Sequence, residues 1–226
     1  MRRVACFVLL SIASCKPRTA PLARDTATPL PLAGFEGEID MTAVLTLIPG
    51  EAPTTFDFVV ELKGNKVRSE KRTERVHQAS ITDGDAKMTW SLDLVARTYD
   101  EGDLAQLGTS TATPAPKAAG ADTVAGTPCD RWEIDELLGR TTFCLATGIR
   151  LPFMARAAPT GEFASSVERD RLLAKGFPLR DVTRGPTGAT LFRMEATRIV
   201  PRPVADSEFV VPAGYVKAPP LELHVQ

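Results

Sequence analysis

One stretch decides the fold class of this chain, and it reads Phe35-Glu36-Gly37-Glu38-Ile39-Asp40-Met41-Thr42-Ala43. Every second residue is apolar or small, and the residues between them are polar. A β-strand points successive side chains to opposite faces, so this pattern predicts a strand with one buried face. Residues 44–48 are mostly apolar and extend the predicted strand.

Working outward from this strand, several further stretches predict strands separated by short turns. They cover residues 54–62, 67–72, 79–82 and 87–94, with a shorter one at 97–99. The turn Asp83-Gly84-Asp85 lies between two of them, and Asp-Gly between strand-like runs is a strong hairpin signal. Residues 108–121 are rich in Gly, Thr, Ala and Pro and predict a flexible loop. Together these segments predict an antiparallel meander.

The most informative predicted hairpin pairs residues 127–134 with 140–145 and contains Cys129 and Cys144. With the two cysteines directly opposite each other, Glu133 faces Arg140 as an opposite-charge pair. One face then carries Trp132, Ile134, Phe143 and Leu145. A bridge here closes a loop of about 16 residues and adds roughly 3 kcal/mol. A redox pair is the alternative, but the sequence has no Cys-x-x-Cys motif, so we predict a structural disulfide.

One helix is predicted between Thr160, which suits an N-cap, and Gly176, which suits a helix end. Its predicted buried face carries Phe163, Val167 and Ala174. Strands at 179–183 and 189–200 follow it. The chain thus ends its regular structure in two closing strands joined by the turn at residues 184–188.

The first residues resemble an export signal, with Arg2 and Arg3 before an apolar segment at 4–12. That segment is too short to span a bilayer, which needs roughly 20 residues. It ends in Ile12-Ala13-Ser14-Cys15, which resembles the lipobox of bacterial lipoproteins. In that family the leader is cut, the thiol takes a diacylglycerol, and the new amino group carries a fatty acyl chain such as palmitate. The resemblance implies a signal peptide at 1–14 and lipidation at Cys15; an ordinary secretory signal with a chance cysteine is the alternative.

The predicted anchor is followed by a tether and a single domain. Residues 16–33 contain four prolines and several Ala and Thr, so we predict an extended Pro/Ala/Thr-rich tether over 15–33. Its reach is up to about 55 Å at 3.1 Å per residue. Residues 34–216 are predicted to form one β-rich envelope domain, and 217–226 a C-terminal tail. In enteric bacteria, an Asp directly after the lipidated cysteine favours retention in the inner membrane. This chain has Lys16 at that position, which favours the outer membrane.

The body of the chain resembles a bacterial family known as domain of unknown function 4412. Three stretches carry the resemblance, and they are residues 64–70 (Gly-Asn-Lys-Val-Arg-Ser-Glu), residues 125–132 with Gly-x-x-Cys-x-x-Trp, and residues 176–179 combined with 206–215. That family is similar to the lipoprotein-carrier fold. The resemblance implies a mainly β (α+β) fold, with a curved antiparallel sheet or unclosed barrel and one or two helices on its concave side. It also implies binding of a lipid or other hydrophobic ligand.

Several classes of chemistry find no support in the sequence. A net charge of −1 gives no basic surface for nucleic acid, so no nucleic-acid partner is expected. The only histidines are His77, predicted at the surface, and His224, predicted in the tail; a zinc site needs more ligands. No Gly-x-Ser-x-Gly presents a nucleophilic serine. Asp83, Asp85, Asp100, Glu101 and Asp103 lack the spacing of a calcium loop and are predicted to be solvated turn residues. Arg68 and Glu70 are predicted to form cross-strand pairs.

We therefore expect a non-enzymatic envelope protein without a cofactor or metal. Its membrane contact is the lipidated Cys15, and its location is the outer membrane, facing the periplasm. Its predicted ligand is hydrophobic or a lipid, bound in the concave face of the sheet by residues that the sequence does not identify. The alternative is a structural or protein-interaction module of the envelope without a small ligand, whose protein partner is unknown.

Overall fold

The alternating stretch forms most of strand β1, Gly37–Leu45, in which buried and half-buried residues alternate without exception. The computed structural model describes residues 34–46, 52–73, 76–104, 114–149 and 167–219. Within these ranges the chain forms twelve strands and little helix. The other strands are β2 Thr54–Lys63, β3 Lys66–Arg72, β4 His77–Asp83, β5 Met88–Asp93, β6 Thr98–Asp103, β7 Lys117–Val124, β8 Thr127–Glu136, β9 Gly139–Ala146, β10 Phe177–Arg184, β11 Thr190–Pro201 and β12 Val216–Lys217.

All twelve strands belong to one unclosed sheet. Their order is β12-β6-β5-β4-β3-β2-β1-β11-β10-β9-β8-β7. Every pairing is antiparallel except that of β12 with β6, which is parallel. The sheet has free edges at β12 and β7, so the predicted mainly β fold with a largely antiparallel, unclosed sheet is confirmed.

The predicted loop over residues 108–121 is partly wrong, because residues 117–121 lie in β7. This strand pairs with β8, and its register shifts between Ala118 and Ala121. Gly120 has a φ of 93° in this irregular part. Ala and Gly have low intrinsic strand preference, so local sequence favours a loop and only pairing with β8 makes a strand.

The cysteine hairpin forms, but not in the predicted register. Cys144 lies opposite Arg131, and Arg140 lies opposite Asp135 rather than Glu133. The disulfide bridge therefore crosses the hairpin diagonally, with 5.3 Å between the two Cα atoms. This pairing differs from the predicted one by two residues, and an even shift keeps each side chain on its face. The predicted apolar face is confirmed, since one cluster contains Ile134, Phe143 and Leu145 with Trp132 packed against it.

The helix is shorter in the described residues than predicted. Helix α1 covers Val167–Leu173, and Thr160 and Phe163 lie outside the described residues. Its buried side chains are Arg169, Leu172 and Leu173, whereas Ala174 is exposed. The predicted apolar face is thus wrong at Ala174, because Arg169 faces the sheet and sets the helix orientation. Gly176 is required by close approach, since a Cβ there would lie 2.7 Å from the carbonyl oxygen of Ala146.

The end of the sheet containing β7–β10 is strongly curled. Arg180 of β10 donates to Asp122 of β7 at 2.7 Å and to Glu195 of β11 at 2.7 Å. Two strands separate β10 from β7 in the sheet, so this bond requires the sheet to bend back on itself. Register shifts in β10 and β7 accompany the bend, as β-bulges increase local twist.

Three apolar clusters stabilise the described part of the chain. The largest joins side chains of β1–β3, β10 and β11 with Val124 and the disulfide. A second lies on β4 and β5 and includes Val204 and Phe209 from the C-terminal segment. The third joins β8 and β9 to Leu172 and Leu173 of α1. In the described residues, no helix has the length and apolar character needed to cross a membrane.

Candidate functional site

An open groove of about 500 Å³ lies along strands β2–β6. These strands pair without register shifts, so residues directly opposite each other share a face. Two rows of side chains therefore run across the strands, with neighbours about 4.8 Å apart. One row is Phe58, Lys71, Gln78, Asp93 and Thr98, and the other is Val60, Ser69, Ser80, Ser91 and Asp100.

The centre of the groove is lined by small hydroxyl side chains. Ser69 and Ser80 lie on adjacent strands with 2.9 Å between their hydroxyl oxygens. Ser91, on the next strand, is exposed. One row beyond, the hydroxyl oxygens of Thr82 and Thr89 are 3.3 Å apart. Short side chains keep the groove open, and their hydroxyls both donate and accept hydrogen bonds.

The two sides of the groove differ in character. On the β2 side, the Nζ of Lys71 lies 4.3 Å from the centre of the Phe56 ring. Phe56 packs edge-on against Phe58, with 5.6 Å between ring centres. On the β5–β6 side, Asp93 and Asp100 provide carboxylates. The groove thus runs from an aromatic and cationic corner, across hydroxyls, to an acidic side.

The opposite face of these strands is closed by the C-terminal segment. Ala79, Ile81 and Leu92 alternate with groove residues along β4 and β5, and they are buried beneath Val204 and Phe209. A 3₁₀ helix at Asp206–Phe209 supplies the phenylalanine. The groove floor is therefore fixed from behind by packing, while its front stays open.

A second polar site is buried under α1. The Arg169 guanidinium donates to Glu136 at 3.0 Å and to Asp181 at 2.8 Å. It also lies 4.8 Å from the centre of the Phe143 ring. The Thr141 hydroxyl donates to the same Glu136 oxygen at 2.7 Å. One cation thus ties the helix to β8 and β10.

Burial raises the pKa of Asp181 to about 6, although Arg169 lowers it, and nearby Glu136 raises it further. The other oxygens of the two carboxylates, Oδ1 of Asp181 and Oε1 of Glu136, are buried without a hydrogen-bond partner. With both carboxylates ionised, the cluster carries a net charge of −1 in an apolar setting. A proton on Asp181 removes that charge.

Ion pairs cover the face of β1, β2 and β11 that points away from the groove. Arg198 donates to Glu38 at 2.5 Å and to Asp40 at 2.6 Å. Arg202 donates to Glu38 at 3.0 Å and to Glu61 at 2.6 Å. These acidic and basic side chains therefore neutralise much of one another's charge.

Arg68 and Glu70 both lie on β3, and each forms the predicted cross-strand pair, Arg68 with β2 and Glu70 with β4. Arg68 lies 3.9 Å from Glu61 on β2 and 3.0 Å from Glu70. The Nε2 of His77 lies 2.6 Å from Glu70, and the His77 side chain is partly exposed. Burial raises the pKa of Glu70, but hydrogen bonds from His77 and Arg68 outweigh it and hold that pKa below its usual value.

The acidic residues considered for calcium divide between a turn and a strand. Asp83 accepts backbone N–H bonds from Asp85 and Ala86, both at 2.9 Å. Burial raises the pKa of Asp83, but these bonds outweigh it and lower that pKa. The prediction of turn residues is wrong for 100, 101 and 103, which lie in β6, and for Asp83, which is the last residue of β4. Across the described ranges, no group of three or more His, Cys, Asp or Glu is placed to hold a metal ion.

The predicted disulfide is present, and Cys129 and Cys144 are both buried. Cys15, residues 1–33 and His224 lie outside the described residues, so the signal, lipidation and tether stay predictions. The groove itself was not predicted. Its only signal in the sequence is polar residues at alternate positions of the strands at 79–82 and 87–94, and their shared row depends on register.

The sheet is similar to those of several solved structures at low sequence identity. An uncharacterized conserved protein from Thermus thermophilus has a TM-score of 0.48 at 8% identity, covering 81% of this chain and 90% of that one. A LolA superfamily protein from Nitrosomonas europaea has a TM-score of 0.40 at 12% identity, covering 82% and 93%. The Pseudomonas aeruginosa MucA/MucB complex gives a TM-score of 0.39 at 16% identity, covering 78% and 56%.

Comparison with curated proteins gives no match. The family comparison is informative, because residues 35–215 match one family from the start of the sheet to the segment that closes the back of the groove. That stretch includes the three motifs quoted from the sequence. The chain therefore belongs to the family described as domain of unknown function DUF4412.

Proposed function

We propose that this protein is a non-enzymatic, lipid-anchored protein of the bacterial envelope that binds an amphipathic ligand in the groove along β2–β6. The observation that carries the proposal is the open groove of about 500 Å³ with an aromatic and cationic corner. Ligand sites are concave and hold polar groups that fix the orientation of the ligand. This groove is concave, and most of the side chains that line it are polar.

The predicted ligand is hydrophobic or a lipid. The polar side chains that line the groove favour a ligand of that kind that also has a substantial polar part. Lys71 suits an anionic group, and the hydroxyls of Ser80 and Ser91 suit neutral polar groups. The Phe56–Phe58 wall is the apolar element at the groove's side. A bare acyl chain would leave most of these polar groups without partners, which costs binding free energy.

The proposed envelope location rests on two features. Stable disulfides belong to oxidising compartments, and this domain contains the Cys129–Cys144 bridge. The leader and the lipobox at Cys15 support export and anchoring, with two or three acyl chains giving stable attachment. The outer membrane, with the domain facing the periplasm, is the proposed destination.

A groove-blocking variant tests the proposal. Ser91→Arg places a long side chain on the groove face, and Ser91 is exposed enough to accept it. Thr55→Arg is the matched control, since Thr55 is an exposed hydroxyl residue on the opposite face of β2. Protein purified from envelopes is measured by native mass spectrometry, and bound lipids are identified after organic extraction.

We expect a stoichiometric amphipathic species on the wild type and on Thr55→Arg, and its loss from Ser91→Arg. An empty groove in protein from several hosts would reject the proposed ligand binding. Equal occupancy of all three proteins would place the ligand elsewhere.

The alternative function is a structural or protein-interaction module. The observation that favours it is the edge strand β7, Lys117–Val124, which is mostly exposed and pairs only with β8. Unpaired edge groups can accept a strand from another chain. An empty wild-type groove, combined with a specific partner whose binding is lost when Ala121→Pro disrupts the edge, would favour this function.

A further inference from the structure

The turn between β8 and β9 exposes two leucines. Glu136 pairs with Gly139, so the loop consists of Leu137 and Leu138 alone. Leu137 is 95% exposed and Leu138 is 45% exposed. Two-residue hairpin loops normally carry Asn, Asp or Gly, which suit the backbone and the solvent. Leucine favours neither the backbone conformation of such a loop nor contact with solvent, so the presence of two leucines here requires another explanation.

The leucine tip stands on a rigid base. A Cβ on Gly139 would lie 2.0 Å from the carbonyl oxygen of Arg184, so the tip backbone packs directly on the end of β10. On the other side of the loop, Glu136 is held by Arg169 and Thr141. The two leucines are therefore presented in a fixed position.

Two arginines lie directly beneath the tip. Arg140 and Arg184 are cross-strand partners, and both are exposed. Like charges in this position destabilise a sheet. Arg140 is balanced by Asp135 at 2.9 Å and Glu133 at 3.8 Å, whereas Arg184 forms no ion pair with any residue in the described part of the chain. Arg184 is therefore the arginine of this pair that suits an external anion.

We propose that the Leu137–Leu138 tip docks on a phospholipid bilayer, with the leucines at the acyl boundary and Arg184 at the lipid phosphates. Arginine binds phosphate oxygens through its planar array of donors. Apolar side chains beside cations are the arrangement found in segments that lie at a membrane interface. The exposure of the two leucines and the charge of Arg184, unpaired within the described residues, match such a surface.

The predicted tether explains why so small a tip is sufficient. Extended as predicted, residues 16–33 would reach up to about 55 Å, so a domain anchored at Cys15 would stay within reach of the bilayer. Docking then becomes an intramolecular step, and weak contacts suffice. This part rests on the anchoring in the proposed function, whereas the chemistry of the tip does not.

The test measures the depth of the tip in a membrane without relying on Cys15. The full protein, with Cys6→Ser and Cys15→Ser so that a label reacts only at an introduced cysteine, carries a C-terminal hexahistidine tag and is attached to vesicles of phosphatidylcholine, phosphatidylglycerol and a nickel-chelating lipid. An environment-sensitive fluorophore is placed at Leu138→Cys, and brominated acyl chains serve as quenchers. Val95→Cys, at an exposed valine in the β5–β6 turn, is the matched control.

We expect a blue shift and quenching at position 138 and neither at position 95. Leu137→Ser should lower the equilibrium constant for docking about tenfold or more, since burying a leucine is worth that much. Arg184→Glu should reduce quenching on anionic vesicles. Emission at 138 that stays as in water, or quenching that is equal at 138 and 95, overturns the proposal. A shift that appears only with added envelope protein also overturns it, in favour of a protein partner. An empty groove in the ligand experiment leaves this result unaffected.

Discussion

Asp181 and Arg169 form an ion pair of 2.8 Å, and yet burial raises the pKa of Asp181 to about 6 from an ordinary value of 3.8. The loss of hydration outweighs the attraction, since the Asp181 side chain is only 2% exposed. Glu136 competes for the same guanidinium and adds a second negative charge. The pair thus holds the helix on the sheet, but burying the ionised Asp181 carboxylate costs stability, and that cost depends on pH.

The first prediction is a loss of stability as pH rises from about 4 to 6. The folded state binds a proton on Asp181 more tightly than the unfolded state, so its contribution is complete below the unfolded pKa. It disappears as pH rises through the folded pKa, for a total of about 3 kcal/mol. Asp181→Asn should flatten this dependence, measured as free energy of unfolding by urea at several pH values. Asp100→Asn, at an exposed carboxyl, should keep it; the same slope in Asp181→Asn would contradict the assignment.

The second prediction concerns the cation of the same cluster. Arg169→Met leaves the two carboxylates buried without their partner and should lower the free energy of unfolding by about 3–5 kcal/mol at pH 7.5. At pH 5 the loss should be smaller, because Asp181 is then largely protonated. Arg171→Met is the control, since the Arg171 side chain is 70% exposed in its pair with Glu168, and such a pair is worth about 0–1 kcal/mol. Equal losses in both variants would show that the buried cluster has no special role.

The third prediction concerns the disulfide. Replacing Cys129 and Cys144 with Ala should lower the free energy of unfolding by about 3 kcal/mol, because the bridge restricts the unfolded chain. The sequence separation of 15 sets the size of the closed loop. Urea titrations of the oxidised wild type, the reduced wild type and the double variant check it. Reduced wild type and double variant should agree; no change on reduction would show that the hairpin itself supplies the constraint.

The fourth prediction compares two reasons for a glycine, which are a lack of space for a Cβ and a backbone conformation that other residues rarely adopt. Gly176→Ala places a Cβ 2.7 Å from a backbone oxygen and should cost about 1–3 kcal/mol through local displacement. Gly126 has a φ of 77° and nothing within 4 Å of an added Cβ, so Gly126→Ala should cost about 1 kcal/mol from backbone strain alone. Thermal unfolding of the two variants compares them. A cost at position 126 that exceeds the cost at 176 would contradict this ranking.

The period of a strand explains which features of the sheet could be predicted from the sequence. Alternation at residues 35–43 identified β1, and the same rule located the meander through β5. In the cysteine hairpin the faces were correct and the register was wrong by two residues. Alternation has a period of two, so it specifies the face and is blind to an even shift.

The groove and the buried cluster illustrate a different limit. Ser69, Ser80 and Ser91 are ordinary polar strand residues in the sequence, and they become a row only because three strands pair in one register. Asp181 and Arg169 look like surface charges, and their burial depends on where α1 packs. Such sites are formed by residues far apart in the chain, so a local sequence pattern cannot predict them.

The sequence by itself determined most of the strands, their buried faces, the cysteine partners and the family, because hydrophobic alternation and motif spacing are local properties. The tertiary structure alone decided the strand register, the curl that joins Arg180 to Asp122, the row of groove hydroxyls, the buried Asp181 and the exposed leucine tip. Each of these depends on which distant segments pack together, because side chains are buried and charges interact only between segments that are in contact.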